Sequence, residues 1–157
     1  MEELQLRREM VQIGHSLFSR GYVHATVGNI SCQLGDGYLI TPTDVCLGLL
    51  NIDCIVKAAV DGSVVTGGSP SKTLTLHRHI YAADSRAKCV IHTHSTHLVA
   101  LSLSRKSFSK DWILPITPYF VMKVGHVPII ARVTPTSVHW SPKKYSQLNK
   151  TVDEFVQ

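Results

Sequence analysis

The 157-residue chain contains no apolar run approaching the roughly 18 residues needed to cross a bilayer, so no membrane partner is expected. It begins Met1-Glu2-Glu3-Leu4, acid first and without an apolar stretch behind it. No secretory signal is read there, and a cytoplasmic location is the expectation. Cysteine is scarce: Cys32, Cys46, Cys54 and Cys89 show no CxxC spacing, which excludes a zinc ribbon or a dithiol redox motif. The four are expected to be reduced, mostly buried thiols. Charged residues make up only 17%, and the excess of 16 Lys+Arg over 11 Asp+Glu is scattered rather than gathered into a stripe. Trp112, Trp140 and the tyrosines form no stacking platform. Nucleic acid is therefore not an expected partner, whereas a small anionic substrate suits a net charge of +5. There is no internal repeat and no linker long enough to divide the chain.

What the chain does have is 44% apolar residues, enough for one sizeable core, and nine histidines, an unusual number for this size. Residues 2–20 read as a helix, with Leu4, Met10, Ile13, Leu17 and Phe18 near helical spacing and Gly21 closing it. Two hairpins follow. Ile30 and Cys32 lie in a strand joined through Gly35-Asp36-Gly37 to Tyr38–Thr41, and Cys54–Val60 is joined through Asp61-Gly62 to Ser63–Thr66. After the loop Gly67–Ser71, residues 71–84 read as a helix with Ser71 as N-cap and Leu74, Leu76, Ile80 and Tyr81 as its apolar residues. Cys89–His94 reads as a buried strand leaving the core, and Thr96–Leu103 as a short helix. Residues 104–112 read as a polar loop. Pro115 and Pro118 argue against a central strand in 113–124, and Val127–Ile130 reads as a strand. The texture turns polar over 131–157.

The sharpest chemical signal is His92-Thr93-His94. Residues i and i+2 of a strand share a face, so two imidazoles converge on one point, and imidazole nitrogen suits Zn²⁺ and similar ions. A catalytic zinc usually takes three protein ligands. His77, His97, His126 and His139 are the available candidates, although a helical histidine such as His77 or His79 is more often a packing or surface residue. A second signal is a set of small polar loops: Gly28-Asn29-Ile30-Ser31, Thr41-Pro42-Thr43-Asp44 and Pro70-Ser71-Lys72-Thr73. The last opens a helix, where free N–H groups and the dipole favour a phosphate and Lys72 adds a point charge. Together these loops suggest a phosphorylated small molecule.

These pieces, in this order, resemble the class II aldolase/adducin family. The matching elements are Arg20-Gly21-Tyr22, Ala25–Ser31, Ile40–Thr43, Asp61-Gly62, Pro70–Lys72, Leu76-His77 and Val90–Ser95, followed by Leu114–Pro128. That last stretch resembles the branch holding the 3-oxo-tetronate 4-phosphate decarboxylases and fuculose-phosphate aldolase-like enzymes. The resemblance implies an α/β fold, layered α-β-α, with a central mostly antiparallel sheet that is incomplete here at the C-terminus. It implies a domain over 1–130 and a divergent tail over 131–157. It also implies a homo-oligomer, a tetramer in the family, with active sites between subunits.

Residue by residue, it implies His92 and His94 as ligands of Zn²⁺ or another divalent metal. Gly28, Asn29, Thr43, Ser71 and Lys72 fall on the substrate's phosphate-binding loops. The implied activity is cleavage of a carbon–carbon bond in a phosphorylated sugar acid or sugar, by decarboxylation or by aldol cleavage. Two departures bear on it. Thr73 stands where the family usually has a Glu acid/base, which favours decarboxylation, because that bond breaks without a base. The family's third metal histidine, in an Asn-His-Gly context, has no counterpart, and His139 is not expected to replace it. A non-catalytic adducin-like domain is the reading from another class. A hydrolase built on the two histidines alone would need an acidic partner, and Asp84 and Asp111 are weak candidates.

Overall fold

The computed structural model describes residues 2–97, 99, 100 and 122. Chain contacts separate residues 1–103 from 104–157, and every element named below lies in the first unit. The order is α1 (Glu3–Ser19), β1 (Asn29–Leu34), β2 (Gly37–Ile40), β3 (Val56–Ala59), β4 (Val64–Thr66), α2 (Leu74–Ala83) and β5 (Cys89–His92). Single 3-10 turns at Leu47–Leu49 and Ile52–Cys54 lead into β3. The five strands form one antiparallel sheet in the order β4-β3-β2-β1-β5.

Strand alternation sorts the sheet's two faces. Ile30 and Cys32 of β1 and Leu39 of β2 pack against Leu6 and Met10 of α1, with Leu47, Leu50 and Ile55 completing that core. The opposite face carries Ile40, Val56 and Ala58 under Leu74 of α2, with Tyr38 alongside. Tyr38 stacks on Tyr81 of α2 with ring centroids 5.4 Å apart. One helix thus covers each face. The α/β, layered α-β-α reading with an antiparallel sheet holds over the described residues.

Helix α1 ends as its sequence demands. Gly21 adopts φ +72, Tyr22 N–H donates to Leu17 O and Gly21 N–H to Phe18 O, a Schellman closure. The helix is anchored at its start as well. The Arg7 guanidinium donates to Glu3 and to the carbonyls of Ile52 and Ile55, and Lys57 pairs with Glu3 and Asp36. The Arg7 hydrogen bond, opposed by burial and reinforced by Lys57, holds the Glu3 carboxyl below its ordinary range.

Several expectations need correction. The inner face of α1 is Leu6, Met10 and Gly14, while Leu4, Ile13 and Phe18 are exposed. The spacing of apolar residues alone could not choose between two overlapping stripes. Gly14 lies on the inner face because Leu47 O comes within 3.0 Å of where its Cβ would sit. Cys54 belongs to a 3-10 turn rather than to a strand, held by Asn51, whose side chain accepts from Asp53 N–H. Helix α2 starts at Leu74 with Thr73 at its N-cap. Ser71 lies one turn earlier, where its carbonyl accepts from Leu74 N–H. Leu76 and Ile80 are exposed, and Leu74, His77 and Tyr81 form the buried face.

Strand β5 ends at His92, leaving Thr93 and His94 beyond it, and it is not buried: Ile91 is 49% exposed. Among the described residues β5 pairs with β1 on one side only. The cysteine expectation fails for one pair. Register sets Cys32 directly opposite Cys89 on one face with Cα atoms 4.0 Å apart, and the two form a disulfide. At a sequence separation of 57, nothing in the sequence hinted at that pairing. Cys46 and Cys54 are free and half-buried. Thr96, His97, Val99 and Ala100 are helical, as expected. The readings for 104–121, the strand at 127–130 and the tail at 131–157 lie outside the described residues.

Candidate active site

Three loops and the end of β5 meet at one end of the sheet. Thr43 N–H donates to Ser69 O and Ser71 N–H to Thr41 O, with Pro42 and Pro70 bridged between them. The buried Thr41 hydroxyl accepts from Ile30 N–H, which ties this pair of loops to the start of β1. Asn29 opens β1 directly across from His92. The sequence-derived residues Asn29, Thr43, Ser71, Thr73 and His92 therefore lie on adjoining segments, although far apart in the chain.

The polar contacts at this end are specific. Asn29 is buried, and its Nδ2 donates to Nδ1 of His92 at 3.2 Å. Its Oδ1 accepts from the Thr73 hydroxyl at 2.8 Å, and Thr73 Oγ1 lies 3.0 Å from Ser71 Oγ. Thr73 occupies the position where a base was expected, yet its hydroxyl is engaged with Asn29. His92 is half-buried and His94 exposed, with ring centroids 4.9 Å apart. Burial, and secondarily the charge of His94, lowers the pKa of His92 and so favours the neutral imidazole that metal binding requires. That donor set suits a divalent transition ion. Among the described residues no third His, Cys, Asp or Glu joins the pair. Lys72 is exposed on the loop before α2.

Gly28 is required by backbone and packing together. Its φ is +86, and a Cβ there would meet Val23 Cγ1 at 2.7 Å and the His92 carbonyl at 3.0 Å. Behind the site lies a cluster that the sequence reading missed. Ser31 Oγ is 2.7 Å from His77 Nδ1 and 2.7 Å from the Tyr81 hydroxyl, all buried. His77 Nε2 has no partner among the described residues. His77 packs within this cluster and belongs to no metal-ligating group among the described residues. The available signal was the spacing Thr73, His77, Tyr81 on α2, matched by the alternation Asn29, Ser31 on β1. His97 is exposed; His126 and His139 lie outside the described residues. Asp84 pairs with Arg86.

The model of the class II aldolase and adducin N-terminal domain matches residues 8–152. The chain belongs to the class II aldolase and adducin family. A 3-oxo-tetronate 4-phosphate decarboxylase from Cupriavidus necator is 55% identical over 128 residues, 82% of this chain and 59% of the relative. An L-fuculose phosphate aldolase from Methanocaldococcus jannaschii is 33% identical over 121 residues, 77% of this chain and 65% of that protein. YgbL from Klebsiella pneumoniae, described as a candidate aldolase/epimerase/decarboxylase, superposes with a TM-score of 0.82 at 39% identity, covering 97% of this chain and 72% of YgbL. The chain spans about three-fifths of the length of the curated decarboxylases it matches. No helix among the described residues is long and apolar enough to cross a membrane.

Proposed function

We propose that this chain acts as a metal-dependent lyase that decarboxylates a 3-oxo-tetronate 4-phosphate. The carrying observation is the convergence of His92, Asn29, Thr73 and Ser71 at one sheet end through hydrogen bonds of 2.8–3.2 Å. The names of relatives at 55% and 42% identity support the substrate class.

In this reading Gly28, Asn29, Thr43, Ser71 and Lys72 receive the substrate's phosphate. Lys72 contributes charge, and the start of α2 contributes its dipole. Binding energy from the phosphate positions the reacting carbon. His92 and His94 would hold a divalent ion, Zn²⁺ or another. When bound, it supplies a Lewis acid for the negative charge that develops on the substrate oxygen as CO₂ leaves. Thr73 fits the reaction because loss of CO₂ from a 3-oxo acid needs an electron sink and no base. The carbon that lost CO₂ must then take a proton. Tyr81 does not supply it, since its hydroxyl is buried on Ser31 and burial raises its pKa. Solvent water is the proposed donor.

A homo-oligomer, a tetramer as in the family, is part of the proposal. It is supported by exposed Ile13 on α1 and Ile91 on β5, a strand that pairs on one side only among the described residues. The test is CO₂ release from 3-oxo-tetronate 4-phosphate, with the three-carbon ketose phosphate as co-product. Cleavage of a ketose 1-phosphate without CO₂ release would favour the aldolase reading. Neither reaction would favour a non-catalytic domain.

A further inference from the structure

His92 has only one lone pair to give while neutral, and which nitrogen carries it depends on what faces the other. Asn29 faces Nδ1. Its amide lies 3.2 Å from that nitrogen, and no other side chain bonds to the His92 ring among the described residues. With Nδ2 of Asn29 donating, Nδ1 is the acceptor and the proton sits on Nε2. The nitrogen turned away from Asn29 then has no lone pair for a metal. If the amide is turned over, Oδ1 faces the ring. Nδ1–H then donates to Oδ1, and Nε2 is left with its lone pair exposed.

The second arrangement costs no hydrogen bond. Asn29 is buried, so both ends of its amide must be satisfied in either orientation. The group on its far side is the Thr73 hydroxyl at 2.8 Å, which accepts as readily as it donates. Thr73 Oγ1 is in turn 3.0 Å from Ser71 Oγ, another hydroxyl able to reverse. Turning the amide therefore reverses a chain of three hydrogen bonds and breaks none. An apolar residue at 29 would leave Nδ1 with no fixed partner, and an amide bonded to two rigid donors could not turn.

We propose that Asn29, backed by the Thr73 and Ser71 hydroxyls, is a positioning residue that fixes His92 as the Nδ1–H tautomer when a metal binds. The inference rests on the reading of His92 as a ligand. Outer partners of this kind hold a ligating ring in orientation, and their loss typically weakens metal binding about 10- to 100-fold.

The test uses Zn²⁺ alone, by competition against a chromogenic chelator, together with ¹⁵N-histidine NMR of the full chain. Wild type should bind Zn²⁺ in a His92-dependent way, with His92 showing a protonated Nδ1 in the loaded form. Asn29→Leu should bind about 10- to 100-fold more weakly. Asn29→Asp, which can only accept at this position, should bind at least as tightly as wild type. Circular dichroism and melting of each variant separate loss of fold from loss of binding, and the Asp variant keeps the test decisive if the Leu variant is unfolded. Equal affinity in all three, or Asn29→Asp as weak as Asn29→Leu, would overturn the inference while leaving the metal site standing. A loaded His92 protonated on Nε2 would overturn it directly. No His92-dependent binding by wild type would overturn both this inference and the metal-site reading.

Discussion

Ser31 Oγ sits 2.7 Å from Nδ1 of His77, a histidine with no surface exposed to solvent. Burial, with a smaller contribution from the charge of His92, pulls the His77 pKa down to about 4. In the unfolded chain it returns to near 6.5. Between those values the unfolded state binds the proton and the folded state does not. Stability from this group is therefore complete above about pH 6.5 and is lost as pH falls toward 4, by an amount on the order of 2 to 3 kcal/mol. Urea unfolding from pH 7 to 4 checks this. His77→Gln should flatten that part of the profile, and an unchanged slope would contradict the assignment.

Gly28 gives a second expectation. At φ +86, with Val23 Cγ1 and the His92 carbonyl close to any added Cβ, Gly28→Ala should destabilise the fold by roughly 1 to 3 kcal/mol. Because one of the clashing atoms belongs to His92, Zn²⁺ affinity should fall as well. Thermal melting and metal titration of the same sample would show both losses.

Thr73 separates structure from chemistry. Thr73→Val removes the donor to Asn29 Oδ1 and leaves a buried acceptor unpaired, at a cost of about 1 to 3 kcal/mol. Thr73→Ser keeps the hydroxyl and should lose much less. Thr73→Glu places a carboxylate in the site. The decarboxylase reading expects slower CO₂ release, since like charge then opposes an anionic substrate. A faster retro-aldol cleavage of a ketose 1-phosphate in that variant would favour the aldolase instead.

Lys72 is exposed and acts through charge. Lys72→Ala should raise KM for the phosphorylated substrate about tenfold with a smaller change in kcat, and the difference should shrink as salt is added. An effect confined to kcat would place Lys72 at the reacting carbon rather than at the phosphate.

Much of this fold was legible because local signals agreed. Gly21 closed α1, Asp36 and Asp61-Gly62 marked the hairpin turns, and the alternation in β1 and β2 sorted the faces. The side chains that meet at the sheet end were legible as candidates: His92 by its i, i+2 spacing with His94, and Asn29, Ser71 and Thr73 by their small polar loops. What stayed hidden depends on register between distant segments. The Asn29–His92, Ser31–His77 and Cys32–Cys89 pairings all follow from how β1 meets β5 or α2, across 46 to 63 positions. The inner face of α1 was misread for a related reason. Its apolar residues exceed one stripe, and only the fit of Gly14 under Leu47 selects the buried one.

The central claim is that His92 and His94 hold a divalent metal. Elemental analysis of the purified, tag-free chain, with His92→Ala alongside, tests it most directly. The account predicts about one metal per chain in wild type and little in a folded His92→Ala variant. A metal-free wild-type chain that stays metal-free on incubation with Zn²⁺, or equal metal in both proteins, would contradict it.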